Sequence, residues 1–189
     1  MTDVQQSIRE RAQRMMRGAT LKGGTYAWVK AGKPKLLDPK DDKPRTITVD
    51  VAPLANEEDA GTAKYDFKRT LWVRLIGVEG YEPVGNAARQ DIDTLNVLVP
   101  GRIDPLTKEN GQWTFRGQVV KGQDYNNAQT ERAMQAMELA QELKDNPDLI
   151  TDDVFFFGTI KPGKEEGATF LNNLTTTRPT GDIAVPEEA

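Results

Sequence analysis

Residues Thr46 to Val51 alternate strictly, with Thr46, Thr48 and Asp50 polar and Ile47, Val49 and Val51 apolar and β-branched. Successive side chains of a strand point to opposite faces, so a period of two specifies a strand with one buried face and excludes an amphipathic helix there. The same logic applies to the longer run from Tyr65 to Val78. It puts Leu71, Val73 and Leu75 on one face and Lys68, Thr70, Trp72, Arg74 and Ile76 on the other.

Turn chemistry divides the rest of the chain. Gly23-Gly24 precedes a strand over Thr25 to Ala31, and a Lys/Asp/Pro-rich loop is expected from Gly32 to Pro44. Thr94 to Val99 and Gln112 to Val120 read as further strands, joined through Pro100-Gly101 and a turn at Glu109-Asn110-Gly111. Val154 to Ile160 and Ala168 to Thr176 complete the set around Pro162-Gly163. Two helices are expected. Residues 2–17 repeat Val4, Ile8, Ala12, Met15 and Met16 at helical spacing, with Gly18 as the stop. A second helix starts at Asn126 or Asn127, presents Ala133, Ala136, Met137, Ala140 and Leu143 on one face, and ends at Asn146-Pro147.

The expected fold class is therefore α+β. It is a mostly antiparallel barrel or sandwich of about five or six strands, with an amphipathic helix before it and one late helix packed against it. Residues 1–18 form a basic N-terminal helix or arm, 19–177 one β-rich domain containing the helix at 126–145, and 178–189 an acidic tail. No internal repeat of 20 to 50 residues is present.

The chain of 189 residues has no cysteine and no histidine. Disulfides and thiolate chemistry are excluded, serine–histidine and cysteine–histidine pairs are impossible, and a zinc role is close to excluded. No Walker loop or dinucleotide fingerprint cradles a phosphate. Asp91 and Asp93, two apart at the head of the strand expected from Thr94, would project to one side and could hold magnesium, but two acids at such spacing are common and no third ligand accompanies them, so a solvated loop is expected. Asp152-Asp153 would point to opposite faces. No enzyme activity and no cofactor are expected. No apolar run is long enough to cross a bilayer, and arginines stand where a secretory signal needs an apolar stretch, so a cytoplasmic protein is expected.

Charge is polarised. Residues 1–50 hold 11 Lys+Arg against 6 Asp+Glu, and residues 51–189 hold 14 against 23. A basic head on an acidic body suits an anionic partner at one end, or head-to-body contact between copies. In the first helix Arg9, Arg11, Arg14 and Arg17 fall opposite the apolar face. That helix either docks on its own domain with solvated arginines or serves as an assembly arm, using Val4, Ile8, Arg9, Arg11, Arg14, Met15 and Arg17 to reach a partner.

Single strands are gripped by aromatic rings that stack on bases, set among cations that track phosphates. Trp72 between Lys68 and Arg74 has that composition. So do Trp28 with Lys30, and Trp113 and Phe115 with Arg116 and Lys121, although Arg116 should face away from its aromatic neighbours. For any one tryptophan the core, with the cations at its edge, is the favoured place, and it is the recurrence of the mixture on three strands that points to binding. The layout over residues 20–176, several strands with a helix late in the chain and an acidic tail, resembles the oligonucleotide-binding barrels of phage and bacterial single-stranded DNA-binding proteins. The chain departs from them in a tail with three acids, Asp182, Glu187 and Glu188, and no terminal phenylalanine. The resemblance implies a sequence-tolerant protein for single-stranded DNA or RNA, of the kind a phage encodes. The other reading is a subunit of a homo-oligomer or larger assembly, such as a capsid, tail or connector component.

Overall fold

The computed structural model describes residues 3–15, 26–38, 45–54, 69–162, 164 and 169–178. In chain order its elements are α1 (Asp3–Met15), β1 (Tyr26–Leu36), β2 (Thr46–Leu54), β3 (Arg69–Arg74), α2 (Asn86–Leu98), β4 (Leu106–Glu109), β5 (Gln112–Phe115), β6 (Gln118–Val120), α3 (Gln123–Asp145), β7 (Phe155–Pro162) and β8 (Thr169–Thr175). Short 3-10 turns cover Val78–Gly80 and Pro147–Leu149.

The fold is α+β and its strand pairs are antiparallel. Five strands, in the order β3-β2-β1-β7-β8, form a sheet curled into a half-barrel, and β4-β5-β6 form a separate small sheet. Alternation on β2 and β3 works as the sequence requires. Ile47, Val49 and Val73 are buried on the inner face, joined by Ala27, Val29 and Ala31 of β1 and Phe156 of β7. Asp50, Thr70, Trp72 and Arg74 are exposed on the outer one.

Helix α2 touches both edge strands, β3 and β8, and so lies across the mouth of the half-barrel. It drives Ile92, Leu95 and Leu98 into the core. Helix α3 packs on α2 with its small-residue face of Ala133, Ala136 and Ala140, and α1 packs on α3. No helix among the described residues is long and apolar enough to cross a membrane.

Several expectations are corrected. The strand expected over Thr94 to Val99 is the second half of α2. Ala88, Ile92, Leu95 and Val99 are buried at spacings of three and four, and a short apolar run does not by itself distinguish a strand from a buried helical segment. Two helices, not one, therefore follow the first strands. The loop expected from Gly32 begins later, because β1 continues to Leu36 through a register shift between Ala31 and Pro34. Gly32 permits that bulge to press against β2, since a Cβ there would stand 3.0 Å from the carbonyl oxygen of Asp50. Gln112 to Val120 is a hairpin rather than one strand, turning at Arg116 and Gly117, which both have positive φ (50° and 76°). Helix α3 starts at Gln123, before Asn126. The turn at Asn110-Gly111 and the stop at Asn146-Pro147 are found where the sequence puts them. The long strand expected to reach Val78 ends at Arg74, and Ile76, expected on the face of Trp72, is fully buried in the turn beyond it. Residues 65–68 of that expected strand, the Gly163 turn position and the tail beyond Arg178 lie outside the described residues.

The N-terminal helix docks on its own domain. Ala12 is fully buried in the common core, Ile8 packs against it, and Arg11 pairs with Glu82. Arg9 is exposed. Only the backbone of Val4, Arg14 and Met15 is described, and Arg17 is outside the described residues. Of the two readings the sequence left open for this helix, these contacts match docking on its own domain.

Candidate functional site

Strand register decides which side chains meet on the outer face of the large sheet. Trp28 of β1 lies opposite Phe157 of β7, and Lys30 opposite Phe155. Those residues face away from Val29 and Phe156, which turn inward. The indole of Trp28 stacks on Phe155 with centroids 5.7 Å apart and planes at 13°, and leans on Phe157 at 4.5 Å. Lys30 Nζ stands 5.7 Å from the Phe155 ring centroid, a cation–π contact. Three buried polar atoms on this part of the face, Trp28 Nε1, Thr159 Oγ1 and Asn172 Oδ1, have no hydrogen-bond partner among the described residues, and Thr159 and Asn172 are directly opposite each other.

Toward the other edge the same face carries a second aromatic position. Lys35 of β1 pairs with Thr48 of β2, which pairs with Trp72 of β3. The three form one row across three strands, and Trp72 is 59% exposed. Trp28 is opposite Leu54 and Trp72 opposite Thr48 on the shared neighbour β2. The two indoles are therefore about 20 Å apart along the strands and about 10 Å apart across them. Between them lie Lys30, Lys35 and Asp50, whose Oδ1 accepts a hydrogen bond from Thr70 Oγ1 at 2.9 Å.

Arg74, two residues beyond Trp72 on the same face, is tied to the interior. Its Nη1 donates to Tyr81 Oη at 3.1 Å, and Tyr81 Oη donates to Asp91 Oδ2 at 3.2 Å. Asp91, on α2, is 6% exposed, and burial holds its carboxyl up at about 7 against the opposing pull of Arg74 and Tyr81. The hydrogen bond to Tyr81 raises the Arg74 guanidinium, and burial raises the Tyr81 hydroxyl. Asp93 serves a different node. It faces Arg132 of α3 at 3.8 Å, and burial raises its carboxyl to about 6 while lowering Arg132.

The solvated loop expected at Asp91 and Asp93 is corrected accordingly, since both lie on α2 and Asp91 is buried, and the helix also parts the pair as magnesium ligands. Two residues apart on a helix are rotated by about 200°, so the carboxylates diverge to separate partners. Among the described residues no group of three or more acids could hold a metal ion.

The remaining expected binding residues are placed elsewhere. Trp113 belongs to the small sheet, where it packs on Tyr125 of α3 at 5.4 Å with Lys108 over its ring. Arg116 is in the β5–β6 turn, not on a strand. It pairs with Asp104 at 2.7 Å and Glu131 at 3.6 Å and lies over the ring of Phe115. Hydrogen bonds from Gln135 and Arg116 hold the Asp104 carboxyl low. Lys121 is exposed just before α3. Lys68 is outside the described residues. Trp28, Lys30, Trp72 and Arg74 thus share one face with Lys35, Phe155 and Phe157, which reading the sequence missed. The signal for the two phenylalanines was the alternation Phe155, Phe157, Thr159 inside an apolar run. No protein-family model, curated protein or solved structure matches this chain.

Proposed function

We propose that the outer face of the five-stranded sheet binds single-stranded nucleic acid in a sequence-tolerant way. Bases stack at Trp72 and phosphates lie on Lys30, Lys35 and Arg74, with the half-buried Trp28, packed between Phe155 and Phe157, at the far end of the face. The observation that carries this reading is Trp72, a large indole 59% exposed in the middle of a paired strand, level with Lys35 and on the same face as Arg74. A ring left in water adds little to the fold, whereas every base offers it a π face. The diagonal from Trp72 to Trp28 suits a strand of several nucleotides, the site size of such sheets.

The layout gives further support. An oligonucleotide-binding barrel is five-stranded and partly open, and takes its ligand on the face of its second and third strands. Here β2 and β3 carry Thr48 and Trp72 on the outer face, and a helix closes the mouth of the half-barrel. A net charge of −4 is compatible with this, because distant acids are screened over about 10 Å at moderate salt.

Trp72→Ala is expected to weaken binding of oligo-dT or oligo-U by about 1–3 kcal/mol while leaving the melting temperature close to that of the wild type. Fluorescence titration and a thermal melt on the same samples measure both. Lys30→Ala with Lys35→Ala should lower affinity and flatten its salt dependence, since each phosphate contact releases counterions. A wild type whose tryptophan fluorescence is not quenched by either oligonucleotide at low salt would retire the proposal in favour of a subunit of an assembly.

A further inference from the structure

Arg74 is an exposed cation on the proposed binding face, yet it compensates a carboxylate inside the protein. The path is continuous: guanidinium to Tyr81 hydroxyl at 3.1 Å, hydroxyl to Asp91 carboxylate at 3.2 Å. Among the described residues, the charged and titratable groups facing Asp91 are Arg74 from β3 and Tyr81 from the segment before α2. Asp93, Arg132 and Arg89 make up a separate group. We infer that capture of a nucleic-acid phosphate by Arg74 is coupled, through Tyr81, to protonation of Asp91, so that the chain takes up a proton as it takes up its single strand.

The physical sequence is short. A phosphodiester oxygen competes with Tyr81 Oη for the guanidinium. When Arg74 turns outward, the buried carboxylate loses the cation that offsets its desolvation. A proton from solvent then neutralises Asp91, and the Tyr81 hydroxyl stays hydrogen-bonded to the resulting carboxylic acid. The reverse also holds: a neutral Asp91 no longer draws Arg74 inward, which leaves the guanidinium free for phosphate. Burial already holds the Asp91 carboxyl at about 7 in the free protein, so the required proton is available near neutrality.

The composition makes this coupling easy to isolate. With no histidine and no cysteine, the ordinary groups that titrate near neutral pH are absent apart from the chain's α-amino group, near 8. Among the described residues Asp93, raised to about 6, is the other carboxyl pushed up toward neutrality and supplies a control.

The inference rests on the single-strand reading of this face, and one experiment separates the two. Affinity for oligo-dT lacking a terminal phosphate is measured from pH 5.5 to 8.5 at constant ionic strength. Proton uptake is measured by titration calorimetry in buffers of different ionisation enthalpy. The wild type should bind with nearly constant affinity below about pH 6 and lose up to about tenfold per pH unit above about 7, with net proton uptake there. Asp91→Asn should bind without that slope and without uptake, and Asp93→Asn should keep both. Arg74→Gln, a change at an exposed residue, should bind more weakly and also without the slope, so the test stands even if the Asp91 variant does not fold. Equal wild-type affinity at pH 6 and pH 8, or proton uptake that persists in Asp91→Asn or Arg74→Gln, overturns the coupling alone. No binding at any pH overturns the single-strand reading and the coupling together.

Discussion

Asp91→Asn should be more stable than the wild type at pH 8 by about 2–4 kcal/mol, with the difference gone near pH 4. The carboxyl is raised from 3.8 to about 7 chiefly by burial. A group whose folded value lies above its unfolded value contributes stability that is full below the unfolded value and is lost as pH rises through the folded one. Between about pH 4 and pH 7 the wild type should therefore lose stability that the variant keeps. Each unit of displacement corresponds to about 1.4 kcal/mol, which sets the upper end of the range. Asparagine retains an oxygen to accept from the Tyr81 hydroxyl, and Arg74, being exposed, remains solvated without its anion. Urea denaturation of both proteins at pH 4, 6 and 8 measures the difference directly. A variant less stable than wild type at pH 8 would mean that the link through Tyr81 to Arg74 outweighs desolvation. A destabilising acid connected to an exposed cation is what a site under functional demand looks like.

Removal of residues 1–15 should lower stability by at least about 3 kcal/mol, or abolish the cooperative transition altogether. Ala12 is fully buried and Ile8 packs against the same core, so deleting α1 strips the surface of α3 on which it rests. Burial of one large aliphatic side chain is worth about 1.5–3 kcal/mol, and the newly exposed face of α3 adds to that. The truncation also removes the Arg11–Glu82 ion pair. A truncated protein that melts like the full chain would restore the detachable arm. The arginine-rich face that suggested an arm is compatible with docking, because Arg9 is exposed while Ile8 and Ala12 on the opposite face pack into the core.

Legibility in the sequence followed the range of the interaction. The faces of β2 and β3 were readable because a strand's period of two is a property of the backbone alone, which grouped Trp72 with Thr70 and Arg74; that theirs is the exposed face came from the structure. Asn146-Pro147 ended α3 because proline cannot continue a helix, again a local cause. The run Thr94 to Val99 was misread because its apolar residues satisfy both periods over a few positions. What resolves it is Ala88 and Ile92 upstream, which extend the helical spacing.

The sequence by itself determined the α+β class, the antiparallel strands with one polar face, and the absence of histidine and cysteine chemistry. Each follows from composition or from geometry within a few residues. Only the tertiary structure decided which aromatics share a surface. Trp28 meets Phe155 and Phe157 through the pairing of β1 with β7, strands more than a hundred residues apart in the chain. Trp113 and Arg116 are drawn instead to Tyr125, Asp104 and Glu131 around α3. The environment of Asp91 was likewise invisible, because a carboxylate's burial and its hydrogen bond from Tyr81 depend on α2 spanning the mouth of the half-barrel. Long-range register and helix placement arise from the fit of the whole core, and no window of sequence contains them.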